Sequence, residues 1–197
     1  LASVSVRGQW PYYVDQNTPD WGGRNVDGIP GLVSMGEYEA AENRAGVGLK
    51  QRADHPKTAL SMLSDPGGGH FESSDEKVEF IAFYLKKAAQ YRLPSRGEPQ
   101  GLKQIDPTTQ GWLADRWHRD KGPDAPAAPV GKYQGDPNNA FWHFDEEHAR
   151  ATEKFQAQHR GKKDQLAAFL QEGKIVEPNP NLHERVRLRF LPLEDGI

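Results

Sequence analysis

Among the residues able to do chemistry, one histidine stands out by its setting. His70 closes the run Asp65-Pro-Gly-Gly-Gly-His70-Phe71, which follows an apolar strand-like stretch and precedes a long amphipathic segment. Glycine permits positive φ and close approach of neighbouring backbone, so the imidazole is offered at a sheet rim on a turn almost free of side chains. A histidine there is poised for general-base work near neutral pH. Such a base ordinarily serves a serine on a Gly-x-Ser-x-Gly turn, and none occurs in the 197 residues. The nearest approximation, Leu32-Val-Ser34-Met-Gly36, has leucine where the sharp turn demands a small residue, so Ser34 reads as an ordinary strand residue. The alternative for His70 is a plain structural turn.

The elements that would position this histidine alternate in type. Leu1 to Val6, Ile29 to Met35 and Ala59 to Leu63 are short apolar runs with strand character. Between the last two, Glu39 to Asp54 predicts a helix closed by His55-Pro56. After His70, Ser73 or Ser74 caps a second helix, with Asp75 and Glu76 in its positive first turn and Pro94 beyond its end. Its expected apolar stripe is Val78, Ile81, Ala82, Leu85 and Ala89. Strand, helix, strand, helix in this order predicts an α/β fold with a mostly parallel sheet and flanking helices.

The remaining chain differs in character. Residues 95–137 are rich in proline and glycine and read as a connector, although Trp112 and Trp117 imply that it packs onto something. Residues 138–197 predict a small, partly β accessory domain. It contains a helix from Asp145 to His159, a hairpin of Leu166 to Leu170 and Lys174 to Val176 around Glu172-Gly173, and a half-buried strand from Arg185 to Phe190. Residues 1–94 form the first domain in this division. The chain opens at Leu1 without a methionine and directly on a strand, which predicts an internal piece of a longer protein.

Composition narrows the function classes. Hydrophobic residues make up 36% and charged residues 27%, with 20 glycines and 15 prolines, as in a soluble, loop-rich α and β protein. Lys and Arg number 25 against 28 Asp and Glu, so no excess positive charge draws the surface to nucleic acid or anionic lipid. The absence of cysteine removes disulfides, thiolate catalysis and cysteine metal sites. No apolar run approaches membrane-spanning length. A signal peptide would precede Leu1, which leaves export open.

The strand Ile29 to Met35 ends in Gly36-Glu37-Tyr38-Glu39, and the next strand ends in Gly-Gly-His70-Phe71. Strand, Gly-x-x-acid, helix, strand, Gly-Gly-His-Phe, helix resembles the C-terminal half of the α/β-hydrolase fold, in particular the dienelactone-hydrolase-like esterases. The resemblance covers roughly Leu1 to Pro94. It implies a serine-dependent carboxylic-ester hydrolase in which Glu39 holds the triad acid position and His70 the base, 31 residues later. This chain has Glu where most relatives have Asp, and strand alternation puts Glu37 on the same side, so Glu37 competes for the acid role. The nucleophile would lie outside this chain, leaving the isolated chain inactive. Gly111-Trp112 and Ala125-Pro-Ala-Ala-Pro-Val-Gly are similar to a C-terminal extension of some bacterial hydrolases.

Trp10, Tyr12, Tyr13 and Trp21 follow the first strand, at the carboxyl edge where open α/β sheets bind ligands. They either grip a small-molecule or carbohydrate ester or close the end of the core. The reading calls for no cofactor and no metal, and for neither a nucleic-acid nor a membrane partner. His143, His148 and His159 lack metal-ligand spacing and read as surface residues, and Arg185, Arg187 and Arg189 as a solvated strand face. A reading of another class is a non-catalytic hydrolase-like or carbohydrate-binding module that keeps the fold and uses the aromatic loop.

Overall fold

Two six-residue strands, β2 (Gly31–Gly36) and β3 (Leu60–Asp65), are buried at every position, the condition of parallel strands covered on both faces. With β1 (Ser3–Val6) they form a parallel sheet in the order β1-β2-β3. The computed structural model describes residues 1–11, 25–71, 73–96, 101–119, 121–158, 169–171 and 173–176. Leu1–Gly161 is one compact unit and Lys162–Ile197 a second. Among the described residues no helix is long and apolar enough to cross a membrane.

Period-two alternation sorts the strand side chains onto two faces. Val33, Met35, Leu60 and Met62 meet Ala41, Ala45 and Leu49 of helix α1 (Ala41–Asp54), with Trp10 and Phe141. Leu32 and Leu63 instead meet Phe80, Tyr84 and Ala88 of helix α2 (Asp75–Arg92) and Phe155 of helix α3 (Glu146–Gln156). The mixed α/β architecture of the sequence reading is therefore present, as a small parallel sheet between helices.

Helix α2 starts as expected, with Ser74 Oγ accepting from the Lys77 N–H. Its buried face is a different one. Lys77, Phe80, Tyr84, Lys87, Ala88 and Arg92 are buried, while Val78 and Leu85, expected in the apolar stripe, are exposed. The reason is ionic: the inward lysines carry partners. Lys77 Nζ meets Asp65, and Lys87 Nζ lies 2.6 Å from Asp145 Oδ2 and 2.5 Å from Glu147 Oε2.

Residues 95–137, read as a connector, supply β4 (Trp112–Asp115) and β5 (Ala128–Pro129). These join β6 (Ala140–His143) in an antiparallel sheet of order β5-β4-β6 inside the first compact unit. Leu113 and Trp142 of this sheet share the core of the parallel sheet, and Ser61 Oγ donates to the Trp142 carbonyl at 2.5 Å.

Two histidines expected at the surface are buried. His143 is 1% exposed and His148 fully enclosed, between β6 and α3, with ring centroids 4.7 Å apart. Phe80, Tyr84 and Phe144 surround His148 with centroids at 5.9, 5.3 and 5.5 Å. Phe80 and Tyr84 come from α2 and Phe144 directly follows β6, and together they hold His148 in a low-dielectric setting. In the second unit, β7 (Phe169–Gln171) pairs antiparallel with β8 (Lys174–Val176), and Gly173 between them has φ +74°. His159 and the Arg185 to Phe190 strand lie outside the described residues.

Candidate active site

Strands β2 and β3 end in register, Gly36 beside Asp65, so the turns that follow them meet. The contact is backbone against backbone. A Cβ on Gly36 would stand 2.5 Å from the Gly68 carbonyl oxygen, which itself accepts from the Tyr38 N–H at 3.0 Å. Gly67 has φ +73°, a conformation that disfavours L side chains, and its N–H donates to Glu37 Oε2 at 2.8 Å. Glycine at these points lets the two turns touch.

After Gly36 the chain enters a 3₁₀ turn at Glu37–Glu39, and Ala40 takes a left-handed φ of 64° before α1. The strand alternation that grouped Glu37 with Glu39 therefore stops at Gly36, and the two carboxylates diverge. Glu39 Oε1 meets His70 Nδ1. Glu37, its side chain 2% exposed, turns to Gly67 and to Arg119, whose Nε lies 2.8 Å from Glu37 Oε1. The structure brings Glu39 and His70 together and engages Glu37 elsewhere.

Glu39 is held on both oxygens. Oε2 accepts from Arg7 Nη1 at 2.6 Å and from the Gly36 N–H at 3.3 Å. Burial pushes this carboxyl up, but hydrogen bonds from His70, Arg7 and Gly36, with the charge of Arg7, outweigh it and leave it below its ordinary value of 4.5. Glu39 is thus an anion at neutral pH. A carboxylate only accepts, so the hydrogen of the pair is assigned to His70 Nδ1, leaving the Nε2 lone pair to take a proton. The His70 side chain is 58% exposed, and Phe71, 94% exposed, meets its ring edge-on at 4.6 Å.

A second layer of charge supports this pair. Arg7, at φ 56° just after β1, also approaches Asp65 Oδ2 at 3.9 Å, and Asp65 carries the buried ammonium of Lys77 from the first turn of α2. Sequence reasoning missed Arg7, Asp65, Lys77 and Arg119 as members of the site. Two had a visible signal: Arg7 is a cation directly after a strand at the carboxyl edge, and Asp65 heads the glycine turn. Lys77 and Arg119 become members only through contacts distant in sequence.

Trp10 is 3% exposed, stacks on Phe141 at 5.4 Å and donates from Nε1 to the Arg44 carbonyl at 2.8 Å. It closes the core and offers no face to a ligand. Tyr12, Tyr13 and Trp21 lie outside the described residues. Ser34 is 1% exposed within β2, and no described hydrogen bond joins it to His70. Among the described residues no group of three or more His, Asp or Glu is placed to hold a metal ion. Comparison of the chain with protein-family models, with curated proteins and with solved structures found no match.

Proposed function

We propose that Glu39 and His70 are the acid and base of a serine-dependent triad that hydrolyses carboxylic esters. The observation that carries this reading is the His70 Nδ1 to Glu39 Oε1 contact, with the other carboxylate oxygen bound to Arg7. In that arrangement His70 Nε2 takes the serine hydroxyl proton as the oxygen attacks the ester carbonyl, and Glu39 stabilises the imidazolium. Collapse of the tetrahedral adduct releases the alcohol, which receives the proton from Nε2. Water then attacks the acyl-serine by the same proton path and frees the acid. A histidine that merely filled a turn would have no use for an anionic carboxylate backed by a nearly buried arginine. This reading calls for a serine on a Gly-x-Ser-x-Gly turn, a motif that the 197 residues do not contain.

The test is active-site labelling of the polypeptide encoded by the intact gene. A fluorophosphonate should label one serine on a Gly-x-Ser-x-Gly turn, and His70→Ala and Glu39→Gln should each suppress labelling. No labelled serine, or labelling indifferent to both substitutions, would replace this reading with the non-catalytic module.

A further inference from the structure

The outer face of α2 carries an apolar stripe of its own. Val78 and Leu85 are 58% and 43% exposed, Ala82 between them is exposed, and Ala89 is half-buried. Single exposed apolar side chains are ordinary. These four, however, recur at alternating steps of four and three residues along the helix, the spacing of a coiled-coil seam. None of them belongs to the core, which α2 fills from its other face with Phe80, Tyr84 and Ala88.

The order of sizes along the seam, Val, Ala, Leu, Ala, selects the occupant. If a second copy of α2 runs antiparallel about a two-fold axis between Phe83 and Tyr84, Val78 faces Ala89 and Ala82 faces Leu85. Every large side chain then meets a small one, and each contact occurs twice. A parallel pair in register would set Leu against Leu and Ala against Ala, alternating crowding with gaps, which close packing disfavours. The same antiparallel register brings the exposed Glu79 of each copy beside the exposed Lys86 of the other, along one flank of the seam. Neither charge forms an ion pair within its own chain among the described residues. We propose that this face is a self-association surface, on which a second copy of the chain seats its own α2 antiparallel. Such a contact uses one patch twice and closes at two copies. It is small, so association is weak, with a Kd of about 10⁻⁵ to 10⁻⁴ M. Nothing in it depends on the hydrolase reading.

Sedimentation equilibrium of the 197-residue chain, from about 1 µM to 1 mM, should show a monomer–dimer equilibrium. Leu85→Lys should weaken it by more than about tenfold, because it puts a charge into the seam twice. Glu79→Lys and Lys86→Glu, both at exposed positions away from the candidate active site, should each weaken it by about tenfold through like charges across the axis. The double variant Glu79→Lys/Lys86→Glu should recover the wild-type Kd. An equimolar mixture of the two single variants should also associate about as tightly as wild type, since in the mixed pair both flank contacts join opposite charges. That recovery separates the proposed register from misfolding, which mixing would not repair. A monomer throughout the range, association indifferent to Leu85→Lys, or a mixture no tighter than its components would each overturn the surface. An intact-gene polypeptide that stays monomeric while the 197-residue chain dimerises would overturn it too, by assigning the stripe to another segment of the same polypeptide.

Discussion

Arg7 Nη1 lies 2.6 Å from Glu39 Oε2, on the carboxylate oxygen opposite the one that meets His70, and both side chains are about nine-tenths buried. The carboxylate is therefore held in one orientation by contacts on both of its oxygens. Removing one partner of such a pair leaves the other charged and desolvated.

Arg7→Met should accordingly destabilise the fold by roughly 3 kcal/mol at neutral pH and raise the Glu39 carboxyl pKa, read by carbon-13 NMR. Glu39 titrates below its ordinary 4.5 in the folded chain, so its contribution is present above that value and is lost as pH falls through the folded value. The stabilities of wild type and variant should therefore converge in acid. A Glu39 pKa unchanged by the substitution would contradict this account.

Glu39→Gln keeps the shape but cannot stabilise an imidazolium, so in the intact-gene polypeptide kcat should fall by about 10³ to 10⁴ with KM nearly constant. Glu37→Gln should cost far less, because that side chain serves Gly67 and Arg119. The opposite ranking in steady-state kinetics would transfer the acid role to Glu37.

The 197-residue chain alone should not turn over p-nitrophenyl acetate above the His70-assisted background, and Ser34→Ala should change nothing, since Ser34 is buried within β2. Activity lost in Ser34→Ala would make Ser34 the nucleophile.

What was legible in the sequence was local. Runs of Val, Leu and Met place β2 and β3 within a residue or two, Ser74 marks the start of α2, and the Gly-x-x-acid and Gly-Gly-His turns point to Glu39 and His70. The errors arise where a distant partner decides. Helix α2 carries two stripes of helical spacing, Val78-Ala82-Leu85 and Phe80-Tyr84-Ala88; lysines flank the second, which turns inward with Asp65, Asp145 and Glu147 meeting their charges. His148 looks polar until Phe80 and Tyr84 close over it, and Glu37 looks equivalent to Glu39 until the 3₁₀ turn separates them.

The buried histidines predict acid lability. Burial, with a smaller push from the Lys87 charge, lowers His148 from 6.5 to about 3, and burial with the neighbouring His148 also lowers His143. Both are neutral when folded, so their stability is intact above 6.5 and declines as pH falls below it, by about 1.4 kcal/mol per pH unit for each histidine. His148 Nδ1 accepts from the Phe144 N–H at 3.3 Å. His148→Leu should therefore cost about 1 kcal/mol at pH 8 yet lose stability less steeply between pH 6.5 and 4.5. Urea denaturation across that range would refute the mechanism if the wild-type stability stayed flat.

The contact of Gly36 with the Gly68 carbonyl has a consequence for folding order. Backbone atoms carry no rotamers, so the span from acid to base is calibrated by the pairing of β2 with β3. A slip of one residue in that register would move Glu39 by about 3.3 Å relative to His70, beyond the reach of a hydrogen bond. No sheet that lacks the β2–β3 pairing can bring Glu39 and His70 into this contact. During refolding, its appearance would act as a late clock, striking only when both strands have found their partners.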